Sequence, residues 1–122
     1  MPKVMLIEDD HTLVGLLKTL LEIEGFQITI PANPTALQIC AVLRQEQPDA
    51  VLMDVHMRGA NGLDYLREIR QEKDLDGIPV IMTSGMHLEE QCLAAGAAAF
   101  VLKPFIPDHL VSTIRKAISS DT

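Results

Sequence analysis

The sequence predicts an α/β domain: a doubly wound parallel sheet with helices on both faces. Three observations carry that prediction. Short apolar runs alternate with longer segments of helical periodicity along the whole chain. The runs are continuously apolar rather than alternating, so the strands they form are buried on both faces. Strict strand–helix alternation requires right-handed crossovers between parallel neighbours.

The first run, residues 4–7, ends at acids. Residues 12–24 then place Leu13, Leu16, Leu17, Leu20 and Leu21 on one helical stripe, and Gly25 is a stop signal just beyond. Residues 26–30 form the second strand. Asn33 and Pro34 read as an N-cap and first helical residue, and this second helix runs through Leu37, Cys40 and Leu43 until Gln47-Pro48 ends it. The third strand, residues 50–53, stops at Asp54. A loop with Gly59 and Gly62 leads to a third helix marked by Leu63, Leu66 and Ile69. Residues 78–82 are the fourth strand, and residues 86–95 a short fourth helix closed by Gly96. Residues 99–102 are the fifth strand, ending at Lys103-Pro104, and residues 106–119 carry Leu110, Ile114 and Ile118 at four-residue spacing on a last amphipathic helix.

Length and composition set the outer bounds. The 122 residues fit one domain, 1–122, with enough chain to bury a core. A net charge of −7 argues against direct nucleic-acid binding, which needs Lys and Arg facing phosphates. No apolar run approaches the roughly 18 residues that would span a membrane, and the N-terminal residues lack a signal-peptide layout, so a cytoplasmic protein is expected. Cys40 and Cys92 read as small buried hydrophobes rather than a disulfide. Four scattered histidines, His11, His56, His87 and His109, have no metal-ligand spacing.

In a sheet of this kind, ligands sit beyond the carboxyl ends of the strands, near the point where strand order reverses. The residues ending the first, third, fourth and fifth strands are Glu8-Asp9, Asp54, Thr83-Ser84 and Lys103, which should share one rim. Carboxylates brought within about 4 Å repel by roughly 4 kcal/mol per pair at an effective dielectric near 20, so either a proton or a cation must neutralise them. Hard oxygen ligands with room for water and phosphate suit Mg²⁺, and Mn²⁺ also fits. A hydroxyl, an ammonium and a cation facing one nucleophilic carboxylate make a trap for a transferring phosphoryl group. Asp10 either caps the first helix or adds to the acids.

The segments Val4-Met5-Leu6-Ile7-Glu8-Asp9-Asp10, Val51-Leu52-Met53-Asp54-Val55-His56-Met57 with Gly62, Pro79-Val80-Ile81-Met82-Thr83-Ser84-Gly85, and Gly96-Ala97 through Lys103-Pro104-Phe105 occur in order, each at a strand end. Together they resemble the response-regulator receiver family over essentially the whole chain. The resemblance implies a flavodoxin-like sheet of order 2-1-3-4-5 with five helices. It implies Asp54 as phosphoacceptor, with Glu8, Asp9, Asp54 and the main-chain carbonyl of His56 around the cation. Ser84 becomes the switch hydroxyl, five residues after Pro79, and Lys103 the partner of the phosphoryl group. Phe100 takes the place of the rotating aromatic, and Lys103-Pro104 that of a cis bond. The implied partners are a sensor histidine kinase or phosphotransfer protein, and an output domain or partner protein. The activity would be self-phosphorylation from a donor and autodephosphorylation.

Two departures stand out. Arg58 occupies a position where the family usually has proline, either as a solvated charge or as a contact to the acids or phosphoryl group. The stretch from Ser84 to Gly96 is about three residues short, close to one turn of helix at roughly 3.6 residues per turn, which puts the usual output face in question. A docking module without phosphorylation is the alternative function, but such members usually lose one of Asp9, Asp54, Ser84 and Lys103. A haloacid-dehalogenase type of phosphatase would want an acid two residues after Asp54, where His56 stands.

Overall fold

The apolar runs form the sheet that their continuity predicts. A computed structural model describes residues 1–119; residues 120–122, the end of the predicted domain, lie outside the described part. In chain order the elements are β1 (Lys3–Ile7), α1 (His11–Ile23), β2 (Gln27–Thr29), α2 (Ile39–Glu46), β3 (Ala50–Asp54), β4 (His56–Met57), β5 (Ala60–Asn61), α3 (Gly62–Arg70), β6 (Val80–Ser84), α4 (Glu89–Ala94), β7 (Ala99–Leu102) and α5 (Pro107–Ser119). Five strands make one sheet of order β2-β1-β3-β6-β7, all parallel. This is the predicted 2-1-3-4-5 order, because β4 and β5 form a separate antiparallel ladder in the loop after β3.

Alternate side chains of each central strand feed the two sides. Met5, Ile7, Val51, Met53, Val80 and Met82 pack with α2, α3 and Cys92 of α4. Val4, Leu6, Ala50, Leu52 and Ile81 pack instead with Leu17 and Leu21 of α1 and with Leu110, Val111 and Ile114 of α5. Fully burying each such side chain contributes about 1.5–3 kcal/mol, which drives the layered arrangement.

The structure corrects several sequence expectations. Leu16 is 65 % exposed rather than on the buried stripe. At about 100° per residue it lies a quarter-turn or more from Leu17, the centre of the buried arc formed with Leu13 and Leu21. The second strand is shorter than predicted, at Gln27–Thr29. Cys40 is only partly buried, its thiol facing the Glu68 carbonyl at 3.7 Å, whereas Cys92 is fully buried.

The second helix begins at Ile39, not at Asn33-Pro34. Tertiary contacts explain the loss. The Tyr65 hydroxyl of α3 donates to the Pro34 carbonyl at 2.9 Å and accepts from the Leu37 amide at 3.1 Å. Those groups would otherwise look for partners in a helical first turn. Replacing Tyr65 with Phe is expected to cost about 1–2 kcal/mol in urea unfolding, because both main-chain groups lose that partner. An unchanged midpoint would mean that the hydroxyl does not hold this segment.

The fourth helix is short, and at six residues, Glu89–Ala94, it is shorter than the predicted 86–95. Gly96 ends it at φ +107, and the Arg70 guanidinium donates from Nε to the Gly96 carbonyl at 2.9 Å.

Candidate functional site

β1, β3, β6 and β7 end side by side, and each end delivers at least one polar group. Glu8 and Asp9 follow β1 directly. Asp10 then leaves the rim to cap α1, its Oδ1 accepting from the amides of Thr12 at 3.0 Å and Leu13 at 3.2 Å. Asp54 is the last residue of β3 and stands in register with Thr83 of β6. The Lys103 amide donates to the Ser84 carbonyl at 2.8 Å, which fixes where the lysine leaves β7. The Lys103-Pro104 peptide is cis.

The charged groups converge. The Lys103 ammonium donates to Glu8 Oε1 at 2.9 Å and lies 3.4 Å from Asp54 Oδ1. Carboxylate oxygens of Glu8, Asp9 and Asp54 all lie within 4.8 Å of one another. Glu8 and Asp54 are both buried, at 8 % exposure each, so their mutual repulsion is poorly screened by water. Burial pushes the Glu8 carboxyl up to about 7, an effect that the Lys103 hydrogen bond opposes and the Asp54 charge reinforces. The Lys103 ammonium moves the other way from what burial alone would give: burial favours its neutral form, but Glu8 and Asp54 outweigh this and raise its pKa.

One buried oxygen, Glu8 Oε2, has no hydrogen-bond partner among the described residues. An orphaned carboxylate oxygen costs free energy unless something positive reaches it. Three hard oxygen ligands and that orphan fit a divalent cation of the Mg²⁺ or Mn²⁺ type, and among the described residues no other group of acids, histidines or cysteines converges in this way.

Ser84 is buried at the end of β6, and its Oγ accepts from the Met86 amide at 3.0 Å. Its hydroxyl proton has no acceptor among the described residues. His56 is exposed at the mouth of the site beside Asp9, Asp10, Met57 and Arg58, and its ring is not among the converging ligands. Phe100 lies on β7. It is half-buried and lines a groove with Leu102, His87, Glu89, Glu90 and His109.

One contact has no signal in the sequence. The main-chain amide of Arg58 donates to Asp9 Oδ2 at 2.7 Å. The group that sequence brings forward at this position is the guanidinium, and residue type does not say where an amide points.

Known proteins resemble this chain over most of its length. The model of the response regulator receiver domain family matches residues 4–115. The chain is 34 % identical over 116 residues to the transcriptional regulatory protein KdpE of Staphylococcus aureus, an alignment covering 93 % of this chain and 48 % of that protein. It therefore spans about half the length of the curated relatives it matches. The receiver domain of a signal transduction histidine kinase from Syntrophus aciditrophicus superposes with a TM-score of 0.85 at 27 % identity, covering 98 % of this chain and 92 % of that one. The receiver domain of the Pseudomonas aeruginosa sensor histidine kinase PA1611, solved with a magnesium ion in its active-site cleft, gives a TM-score of 0.82 at 24 % identity, with 96 % and 97 % covered. With the family model matched across nearly all of the sheet and its helices, this chain belongs to the response regulator receiver domains.

Proposed function

We propose that this domain is a phosphorylation-activated switch of a two-component phosphorelay, with Asp54 as the phosphoacceptor. The donor would be a phosphohistidine on a sensor histidine kinase or phosphotransfer protein. The observation that carries the reading is the Lys103 ammonium standing 3.4 Å from Asp54 Oδ1 beside the three-carboxylate cluster.

Asp9, Asp54 and the main-chain carbonyl of His56 would hold Mg²⁺ or Mn²⁺, with Glu8 in support. The magnesium ion in the PA1611 receiver cleft supports that assignment. When bound, the cation supplies charge neutralisation for the acids and for the phosphoryl oxygens. The rest is work for this chain's own residues. An Asp54 oxygen attacks phosphorus, the P–N bond breaks, and its electron pair returns to the donor imidazole. The Lys103 ammonium already spans Glu8 and Asp54, so it can meet a phosphoryl oxygen with little movement. Ser84 has a proton to donate to a second oxygen.

An acyl phosphate adds about −1.5 to −2 charges, by analogy with other phosphorylated side chains. Moving a 1:99 balance of inactive and active forms to 99:1 needs about 5.5 kcal/mol. Two charge-assisted hydrogen bonds of about 1.5–3 kcal/mol each, from Ser84 and Lys103, supply most of that. Phe100, in register with Met82 two residues before Ser84, would report the change to the groove it lines. An output domain or partner protein, a cytoplasmic location and autodephosphorylation complete the proposal.

The test is intact mass after incubation with a small phosphodonor and Mg²⁺. Wild type is expected to gain one phosphoryl group, and Asp54→Asn none. A gain in neither would favour a docking module that works without phosphorylation.

A further inference from the structure

Asp9 differs from its two acidic neighbours in how it is held. Glu8 and Asp54 share the Lys103 ammonium, whereas Asp9 has no ion-pair partner among the described residues. What holds its carboxylate near two others is the amide of Arg58, at 2.7 Å. That amide is fixed by main chain on both sides. Residue 58 begins the two-residue turn between β4 and β5, whose ladder pairs His56 with Asn61 and Met57 with Ala60. Gly59 completes the turn at φ +82, a conformation that glycine takes at little cost. Met57 is buried, and the Gly62 amide donates to the Val55 carbonyl at 2.7 Å, so the loop is anchored at both ends. The Arg58 side chain, by contrast, is exposed and makes no ion pair among the described residues.

We propose that the main-chain amide of Arg58 is a positioning group for the metal site, holding Asp9 ready to receive a divalent cation. This rests on the reading of the rim as a cation-dependent phosphoacceptor site. The β4–β5 turn then sets part of the cation affinity, and the arginine side chain does not. Aiming a carboxylate before the cation arrives lowers the reorganisation that binding must otherwise drive.

Arg58→Pro is the direct probe, because it deletes the N–H that matters, and Arg58→Ala controls for the arginine side chain lost with it. Its fixed φ suits the first central position of such a turn, and the preceding residue, Met57, is in a strand, as the residue before a proline prefers. Mg²⁺ affinity is measured by calorimetry, with the melting temperature of each metal-free variant alongside. Arg58→Pro is expected to weaken Mg²⁺ binding about tenfold. Arg58→Ala keeps the amide and loses a positive charge at the mouth, so it is expected to bind Mg²⁺ at least as tightly as wild type. A role confined to fold support would lower the metal-free melting temperature and leave the affinity alone. Should the proline variant not fold, an ester in place of the peptide bond between residues 57 and 58 removes the same N–H and carries the same expectation. Equal affinity for Arg58→Pro and wild type, or equal weakening by Pro and Ala, overturns the inference while leaving the phosphoacceptor reading intact. Failure of wild type to bind Mg²⁺ at all overturns both.

Discussion

Replacing Lys103 with Met is expected to destabilise the metal-free domain by about 3 kcal/mol at pH 8 and by only about 1 kcal/mol at pH 5. The ammonium sits between two buried carboxylates, 2.9 Å from Glu8 Oε1 and 3.4 Å from Asp54 Oδ1. Removing one partner from such a group leaves like charges facing each other without compensation, which is far costlier than losing a surface pair. The pH dependence follows from Glu8. Its carboxyl is raised from 4.5 to about 7 in the folded chain, so the folded state keeps a proton that the unfolded chain releases in that window. Stability from this group is therefore fully present below about pH 4.5 and is lost as pH rises through 7. Lys103 lowers the Glu8 pKa through its hydrogen bond and its charge, so its removal pushes the carboxyl higher still and extends the loss to more alkaline pH. At pH 5 Glu8 is protonated with or without the lysine, and most of the difference vanishes. Urea unfolding with a chelator at several pH values reads this directly. An equal loss at every pH would show that Glu8 and Lys103 are not energetically linked.

The same groups show how far the sequence could be read. The strands were legible because a continuous apolar run has one stable home, the interior of a parallel sheet. The rim followed from topology: once the strands are parallel, residues as far apart as Glu8 and Lys103 must finish on one edge. Helix starts were less legible. Asn33-Pro34 carries a good local signal, yet the segment is held out of the helix by Tyr65, from an element nearly thirty residues away. Local propensity is worth tenths of a kcal/mol per residue, and a hydroxyl that bridges two main-chain groups exceeds it. Leu16 misled for a related reason, since leucine at the margin of an apolar stripe does not say which side of the margin it takes. The hold of Arg58 on Asp9 was invisible for a different reason. It belongs to the backbone of a turn, and the side chains of that loop carry no record of which way its amides face.

A similar backbone constraint makes Gly62→Ala the other large effect. Gly62 opens α3 directly behind the phosphoacceptor candidate, with Asn61 as its N-cap accepting from the Leu63 amide at 2.8 Å. A Cβ built on Gly62 would run into the backbone carbonyl oxygen of Asp54, and would come within 3.1 Å of its carbonyl carbon and 3.0 Å of the Met82 methyl. Met82 could turn aside. The Asp54 carbonyl cannot, because β3 is paired on both sides, with β1 and β6. Relief must come from α3, whose start is tied to Val55 through the Gly62 amide and whose Leu66 and Ile69 are fully buried. Overpacking of this kind costs about 1–3 kcal/mol or more, so a drop of about 3 kcal/mol is expected, roughly 10 °C in melting temperature for a domain of this size. Helix propensity pulls the opposite way, since alanine is favoured over glycine by about 1 kcal/mol inside a helix. A gain in stability would therefore mean that α3 moves freely away from β3. The phosphoryl uptake proposed for Asp54 is also expected to slow in Gly62→Ala under conditions where the domain remains folded, because the strain falls on the residue that carries the nucleophile.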